Sequence, residues 1–418
     1  MFDAANVLTW IVAALAVAGM IARPFRAPEA VWAVGGAVLL VAGGLLPLSD
    51  AVGAVGKGTD VYLFLIGMML LSETARREGV FDWVAALAVN GAKASPRRLF
   101  LTIYAVGVVV TALLSNDATA VVLTPAVYAV ARKARVAPLP YLFVCAFIAN
   151  AASFVLPISN PANLVLYGGH TPPLGRWFAS FALPSAVSIA ATYAALRLTQ
   201  GAALRGTCAG DVEQPALSAG GWMAVAGIAV TAAALMAVSA LDLPLGAPTA
   251  MLGALTTGAV LARGRRSPLP VLRGVSWAIL PLVAGLFVLV EGLDRTGVIH
   301  LLAGALEDAA TASRTLTAAA AGGLVAIADN LINNLPAALI AGTTIVQAHA
   351  PQPVTDSLLI GVDLGPNLSI TGSLATILWL TALRREGEKV GFWRFLKVGA
   401  VVMPPALVLA LAARLVLG

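Results

Sequence analysis

Three aspartates, Asp117, Asp329 and Asp363, stand within long apolar runs of this 418-residue chain, and four short polar segments interrupt the same runs. Residues 115–119 hold Ser115, Asn116, Asp117 and Thr119, and residues 153–163 hold Ser159, Asn160 and Asn163 around Pro157 and Pro161. Residues 333–336 open with Asn333 and Asn334, and residues 363–373 run through Asn367, Ser369, Thr371 and Gly372 to Ser373. An acid at the centre of a membrane helix costs about 2.5–3.5 kcal/mol on insertion scales, so one retained there is by default a carrier of a proton or cation. Amides and hydroxyls supply both donors and acceptors and can replace the water shell of a small polar solute. A single Asn or Ser in a span is explained as well by a bond to a neighbouring helix, worth about 0.6 kcal/mol on average. Four interruptions at matched places ask for a bound ligand instead.

The elements that hold these residues follow from composition. With 60% hydrophobic and 11% charged residues and a mean hydropathy of +0.91, the chain reads as an all-α polytopic membrane protein. The net charge of +6 reports topology, and nucleic acid is not an expected partner. Apolar segments fall near residues 6–22, 29–46, 60–75, 99–114, 117–131, 141–168 and 177–197, and again near 222–240, 247–262, 276–292, 314–329, 333–346, 357–383 and 395–416. A shift of 218 residues lays Gly67 on Gly285, Glu73 on Glu291, Arg77 on Arg295, Gly79 on Gly297 and Asn116 on Asn334. The expectation is a membrane repeat over 1–199, a cytoplasmic linker over 200–221 and a second repeat over 222–418. Pro, Gly, Asn and Ser in the middle of 141–168 and 357–383 break those helices at mid-membrane, where loosened backbone survives only in protein or beside a wet cavity.

The pairs 99–131 and 314–346 fit either two full spans or one re-entrant hairpin each, with its polar tip at mid-membrane. Hairpins leave five crossings per repeat, an odd number. That gives two inverted repeats, about ten transmembrane helices and two re-entrant hairpins. With the N-terminus and C-terminus outside, all but Lys57, Arg176, Arg295, Arg314 and Arg414 of the 26 Lys and Arg fall on the cytoplasmic side, as the positive-inside rule requires. Residues 6–22 have no basic residue before them and read as a retained first helix.

Other features have plainer readings. Glu73 with Arg77 and Glu291 with Arg295 have the i,i+4 spacing of a helix ion pair at the membrane edge. His170, His300 and His349 read as scattered outer-surface residues, and two cysteines, Cys145 and Cys208, build neither a disulfide framework nor a four-ligand zinc site. No metal or cofactor is expected. GAVGKGT at 53–59 lacks phosphate-loop spacing, and neither HExxH nor GxSxG occurs, so the chain offers no ATP site or hydrolase signature.

The chain resembles the bacterial arsenite efflux permeases of the ion transporter superfamily. The likeness runs along the whole length and is sharpest at LLSNDATAVVLTP (113–125), FVLPISNPANLVLYGG (154–169) and GVDLGPNLSITGSLATILWLTALRREG (361–387). The resemblance implies export of As(III) and Sb(III) across a bacterial inner membrane, as the neutral trihydroxide, in exchange for protons. Some relatives also work with a soluble arsenite-stimulated ATPase, a candidate partner here, and a homodimer is left open. Asn116, Asn160, Asn334 and 367–373 are expected to converge on the solute, with Asp117, then Asp329 or Asp363, carrying the proton. Carboxylate carriers of the superfamily resemble one another in Ser-Asn-Thr tips, where this chain has Asp117 and Leu335. A sodium/proton antiporter is the alternative, with Asp117 as its cation ligand.

Overall fold

A computed structural model describes residues 3–168, 171–209 and 212–417. His170 and Asp211 lie outside the described residues, as does the side chain of Arg26. All regular structure among the described residues is helical. The first half contains α1 (Ala4–Ala22), α2 (Glu29–Ala42), α3 (Leu48–Lys57), α4 (Thr59–Arg77), α5 (Val80–Gly91) and α6 (Pro96–Leu113). There follow α7 (Asn116–Ala118), which passes through a π-helical turn into α8 (Thr124–Lys133), then α9 (Leu139–Ala151), α10 (Pro161–Leu166) and α11 (Leu174–Gln200). The second half contains α12 (Ala219–Ala240), α13 (Gly246–Gly264), α14 (Leu269–Gly274), α15 (Ile279–Arg295) and α16 (Val298–Ala312). It ends with α17 (Arg314–Ile332), α18 (Asn334–Gln347), α19 (Gln352–Leu364), α20 (Leu374–Arg385) and α21 (Phe392–Val416).

The order of elements recurs, with α12–α21 repeating α1–α11 once α7 and α8 are taken as one helix. Matched turns recur with it: Gly79 and Gly297, at φ 75° and 83°, reverse the chain after α4 and α15, in a left-handed conformation that costs glycine nothing. Six helices, α1, α6, α11, α12, α17 and α21, are each long and apolar enough to cross a membrane, and α3 with α4, bent by 48°, makes a seventh such span. Two of the six, α6 and α17, are the first arms of the expected hairpins, and α13, with 19 residues, is as long as α1. Four short helices, α3, α5, α14 and α16, were not expected from hydropathy. The apolar stretch 29–46 is helical only to Ala42, and Leu46 already lies in the turn to α3.

Each half reaches across to the other. Helix α4 packs on α13 and α15 on α2, while α11 packs along α21. The crossings are made by matched glycines: a β-carbon on Gly67 would stand 2.1 Å from the Thr249 carbonyl oxygen, and one on Gly285 would stand 2.7 Å from the carbonyl carbon of Ala33. Small residues let membrane helices approach closely enough for van der Waals packing to hold them.

Charged contacts sort into two faces at the two ends of α4. At one end Arg77 bonds the Pro270 carbonyl at 2.5 Å and Arg266 bonds Glu78 at 2.7 Å. The linker is strapped to this face through Cys208 N to Ala94 O and Ala209 N to Ala134 O. At the other end Lys57 bonds Glu291 at 2.6 Å and Gln347 bonds Asp294 at 2.7 Å. Glu73 pairs with Arg77 at 2.6 Å as its spacing predicts, and with Arg76 at 2.7 Å. Its repeat mate does not follow: Glu291 takes Lys57, and Arg295 pairs with Asp50.

Candidate functional site

The two hairpins open on opposite faces, since α8 ends beside the linker and α18 ends beside Asp294. Their tips nevertheless meet. Ser115 and Asn333, repeat mates, are both non-glycine residues held at positive φ, 148° and 72°. Each turns the chain and caps the next helix, Ser115 Oγ accepting from Ala118 N at 3.4 Å and Asn333 Oδ1 from Leu335 N at 3.4 Å. Backbone held this way costs about 1–3 kcal/mol per residue and persists where packing fixes it.

The broken helices bring their second arms to the same place. After the first break Asn160 caps α10, its Oδ1 accepting from Ala162 N at 3.0 Å. After the second, Ser373 caps α20, accepting from Thr376 N at 3.1 Å. Asn116, Asp117, Asn160, Pro161, Asn334, Leu335, Leu374 and Ala375 then line one small cavity of about 10 Å³, together with Leu65, Ile279 and Val283. All eight come from the starts of helices, so four partially positive helix ends face the cavity along with the Asp117 carboxylate. Asn334 Oδ1 is buried without a partner among the described residues. Leu65, Asp117, Pro161 and Ile279 are shared with a second cavity of about 70 Å³ that reaches Ser115, Ser72, Glu73 and residues 274–276 on the linker face. Such a space holds a few water-sized molecules.

Several expected site residues serve the scaffold instead of the cavity. Thr119 Oγ bonds Thr111 Oγ at 2.8 Å and stitches the hairpin. Ser159 Oγ donates to Ala112 O, a carbonyl of the last turn of α6, at 3.0 Å, and Asn163 Nδ2 donates to Ser153 O, a carbonyl freed by the first break, at 2.9 Å. Asn367 Nδ2 donates to Phe147 O at 3.0 Å. Ser369 Oγ and Thr371 Oγ bond Asn330, each at 2.8 Å, and the Gly372 carbonyl accepts from Asn334 N at 2.9 Å. A broken helix leaves donors and acceptors that must be paired somewhere, and these residues pair them. Asp363 and Asp329 lie behind the cavity wall, Asp363 Oδ1 accepting from Asn160 Nδ2 at 2.5 Å.

Two asparagines were missed by sequence reasoning. Asn150 donates to Asn367 Oδ1 at 3.0 Å and accepts from Ser373 Oγ at 3.4 Å. Asn330 donates to Ala326 O at 2.9 Å and Gly365 O at 3.0 Å. Their signal was faint, a lone amide in an apolar run. A fully buried Asp356, bonded by Arg414 at 2.6 Å, Gln352 at 2.7 Å and Tyr167 at 3.2 Å, ties α19, α21 and the end of α10 together at the far face.

Known proteins share this architecture and sequence. An arsenical pump membrane protein of Yersinia enterocolitica is 29% identical over 372 residues, 83% of this chain and 84% of that protein. One of Escherichia coli is 28% identical over 399 residues, 90% and 91% of the two chains. An uncharacterized transporter of Mycobacterium tuberculosis is 28% identical over 394 residues, 90% of each. Among solved structures the YdaH transporter of Alcanivorax borkumensis, described as having an unusual topology, is similar with a TM-score of 0.56 at 18% identity, over 99% of this chain and 97% of that one; this likeness concerns the fold. The sequence profile of the citrate transporter family, CitMHS, matches residues 9–366, and the chain is a membrane transporter that belongs to that family.

Proposed function

We propose that the protein exports As(III), and with it Sb(III), from the bacterial cytoplasm as the uncharged trihydroxide in exchange for protons. The observation that carries this reading is the convergence of both hairpin tips and the second arms of both broken helices on one small cavity that holds Asn116, Asp117, Asn160 and Asn334. Amides, a carboxylate and helix starts there suit a small neutral polyol, which needs hydrogen bonds and no counter-charge. Among the described residues no Lys, Arg or His lines that cavity or the one leading to it. A citrate would meet the Asp117 carboxylate with no cation to offset it, which sets this chain's substrate apart from the family's name. The names of the arsenical pump relatives point the same way.

In this reading residues 1–199 and 222–418 are inverted repeats that rock about the cavity, with the linker face cytoplasmic and both termini outside. A neutral solute gains nothing from the membrane potential, whereas exchange for one inward proton contributes about 2.3 kcal/mol per 100 mV. Asp117, which faces both cavities, is the first candidate carrier, ahead of Asp329 and Asp363. Inverted vesicles under an imposed proton gradient should concentrate As(III), and Asp117→Asn should abolish that accumulation while sparing downhill As(III) exchange. Parallel Na⁺ and citrate fluxes test the antiporter and carboxylate alternatives. Accumulation of citrate or Na⁺ and not As(III) by the wild type overturns the proposal.

A further inference from the structure

Behind the cavity wall two acids are left unexplained by solute binding. Asp329 on α17 and Asp363 at the end of α19 are both fully buried. Neither carboxylate oxygen of Asp329, and not Oδ2 of Asp363, has a hydrogen-bond partner among the described residues. The two acids are close: Asp329 Oδ2 lies 2.6 Å from where a β-carbon on Gly365 would stand, two residues beyond Asp363. Among the described residues neither acid has an ion-pair partner, and Arg414, on the neighbouring α21, is bound to Asp356 at 2.6 Å. Arg394 and Lys397 start α21, Arg314 starts α17, and Glu307 and Asp308 of α16 are exposed; α1 and α18 contain no charged residue.

An ionised carboxylate buried without a donor costs several kcal/mol, and two neighbouring carboxyls in such a place do not both ionise. Asp363 differs from Asp329 in having side-chain donors, the Ser153 hydroxyl beside it and the amide of Asn160 at 2.5 Å. We propose that Asp329 and Asp363 form one proton-binding pair that holds a single proton while the cavity is organised, Asp329 as the acid and Asp363 as the carboxylate that pins Asn160, and that takes a second proton when it lets Asn160 go. Asn160 lines the cavity and caps α10. Protonating Asp363 on its free Oδ2 leaves Oδ1 able to accept but takes away the charge that strengthens the bond to Asn160, so the second proton loosens that amide and the proton and the solute oppose one another, which is the logic of exchange. The transport role rests on the proposed proton exchange; the protonation pattern does not.

Infrared difference spectroscopy of the purified, solute-free protein in detergent separates the two. At neutral pH the wild type should show a protonated-carboxyl C=O band, shifted in deuterium oxide, that Asp329→Asn removes and Asp117→Asn leaves in place. Acidification should add a second band that Asp363→Asn removes, and Asn160→Ala should strengthen that band at any given pH. If Asp329→Asn does not fold, the wild type against Asn160→Ala carries the test alone. Bands unchanged in the Asp329 and Asp363 variants, or bleached by Na⁺ at constant pH, overturn the pair. Absence of As(III) transport with these bands present overturns the proposed function and leaves the pair standing.

Discussion

The two mouths of the molecule are built from matched residues and closed by different means. On the linker face Glu73, nearly fully buried, accepts from Arg76 Nε and from Arg77 Nε, and Arg77 reaches on to the Pro270 carbonyl of α14. On the far face its mate Glu291 is held, among the described residues, by Lys57, a mostly exposed lysine at the end of α3. The cavities differ to match. The one behind Glu73 is about 70 Å³ and joins the central site, whereas the one beside Glu291, lined also by Asp294, Leu339, Gly342 and Gln347, is about 290 Å³. The glycines that complete the latches differ too. A β-carbon on Gly274 would fall onto the Glu73 carboxylate, while its mate Gly56 has nothing within 4 Å. Matched positions supply the same residue types to both ends, and the difference comes from which short helix, α14 or α3, is pressed against the acid.

The comparison can be broken most sharply at those glycines. Gly274→Ala must push Glu73 off its arginines, so we expect a loss of about 2–3 kcal/mol, the scale of a disrupted buried charged hydrogen bond. Gly56→Ala should be neutral or stabilising by up to about 1 kcal/mol from helix propensity. Unfolding temperatures of the two variants in detergent read the contrast, and equal effects would show that the mouths are equivalent. Next in size, Glu73→Ala should lower stability by about 2 kcal/mol. Glu291→Ala should lower it by less than about 1 kcal/mol, because an exposed Lys–Glu pair is screened and entropically costly. Raising the salt concentration should narrow the second deficit and leave the first. The smallest expected effect sharpens the assignment of faces. Cys208 is buried, and burial pushes its thiol above the ordinary value. Its thiolate fraction at neutral pH is therefore below that of a free cysteine and rises only in more alkaline buffer, so maleimide labelling at pH 7 should be slow. Glu213→Cys in a Cys208→Ser background is exposed and should label at an ordinary rate, from the cytoplasmic side. Labelling from outside in sealed cells would reverse the orientation.

Sequence and structure agree where chemistry and chain geometry make the same demand. Helix breakers at 153–163 and 363–373 cannot sit in a continuous helix, and the breaks occur there. The repeat offset places Ser115 on Asn333, and both prove to be capped tips at positive φ. What residue type could not reveal is which polar group lines the central cavity and which repairs the backbone. Asn160 and Asn163 are three residues apart, yet one lines the cavity and the other pays off carbonyls of its own break. The i,i+4 spacing of Glu291 and Arg295 permits a pair, and Lys57 and Asp50, brought close by α3, outcompete it. Helices α5 and α16 were overlooked because 12 and 15 residues fall short of a bilayer.

The glycine crossings of α4 on α13 and α15 on α2 bear on how the protein is made. Helix α4 meets its partner only when α13 has been synthesised, roughly ten to forty seconds later at about 5–20 residues per second. During that interval the groove at Gly67, Thr74 with its hydroxyl destined for Thr257 at 2.9 Å, and Glu73 before α14 exists all stand without their native neighbours. Whatever shelters them then, lipid or an insertion chaperone, acts on a half-protein whose surface is unlike that of the finished one. Substitutions along this face should therefore reduce the yield of inserted protein by more than they reduce the stability of the molecules that complete assembly.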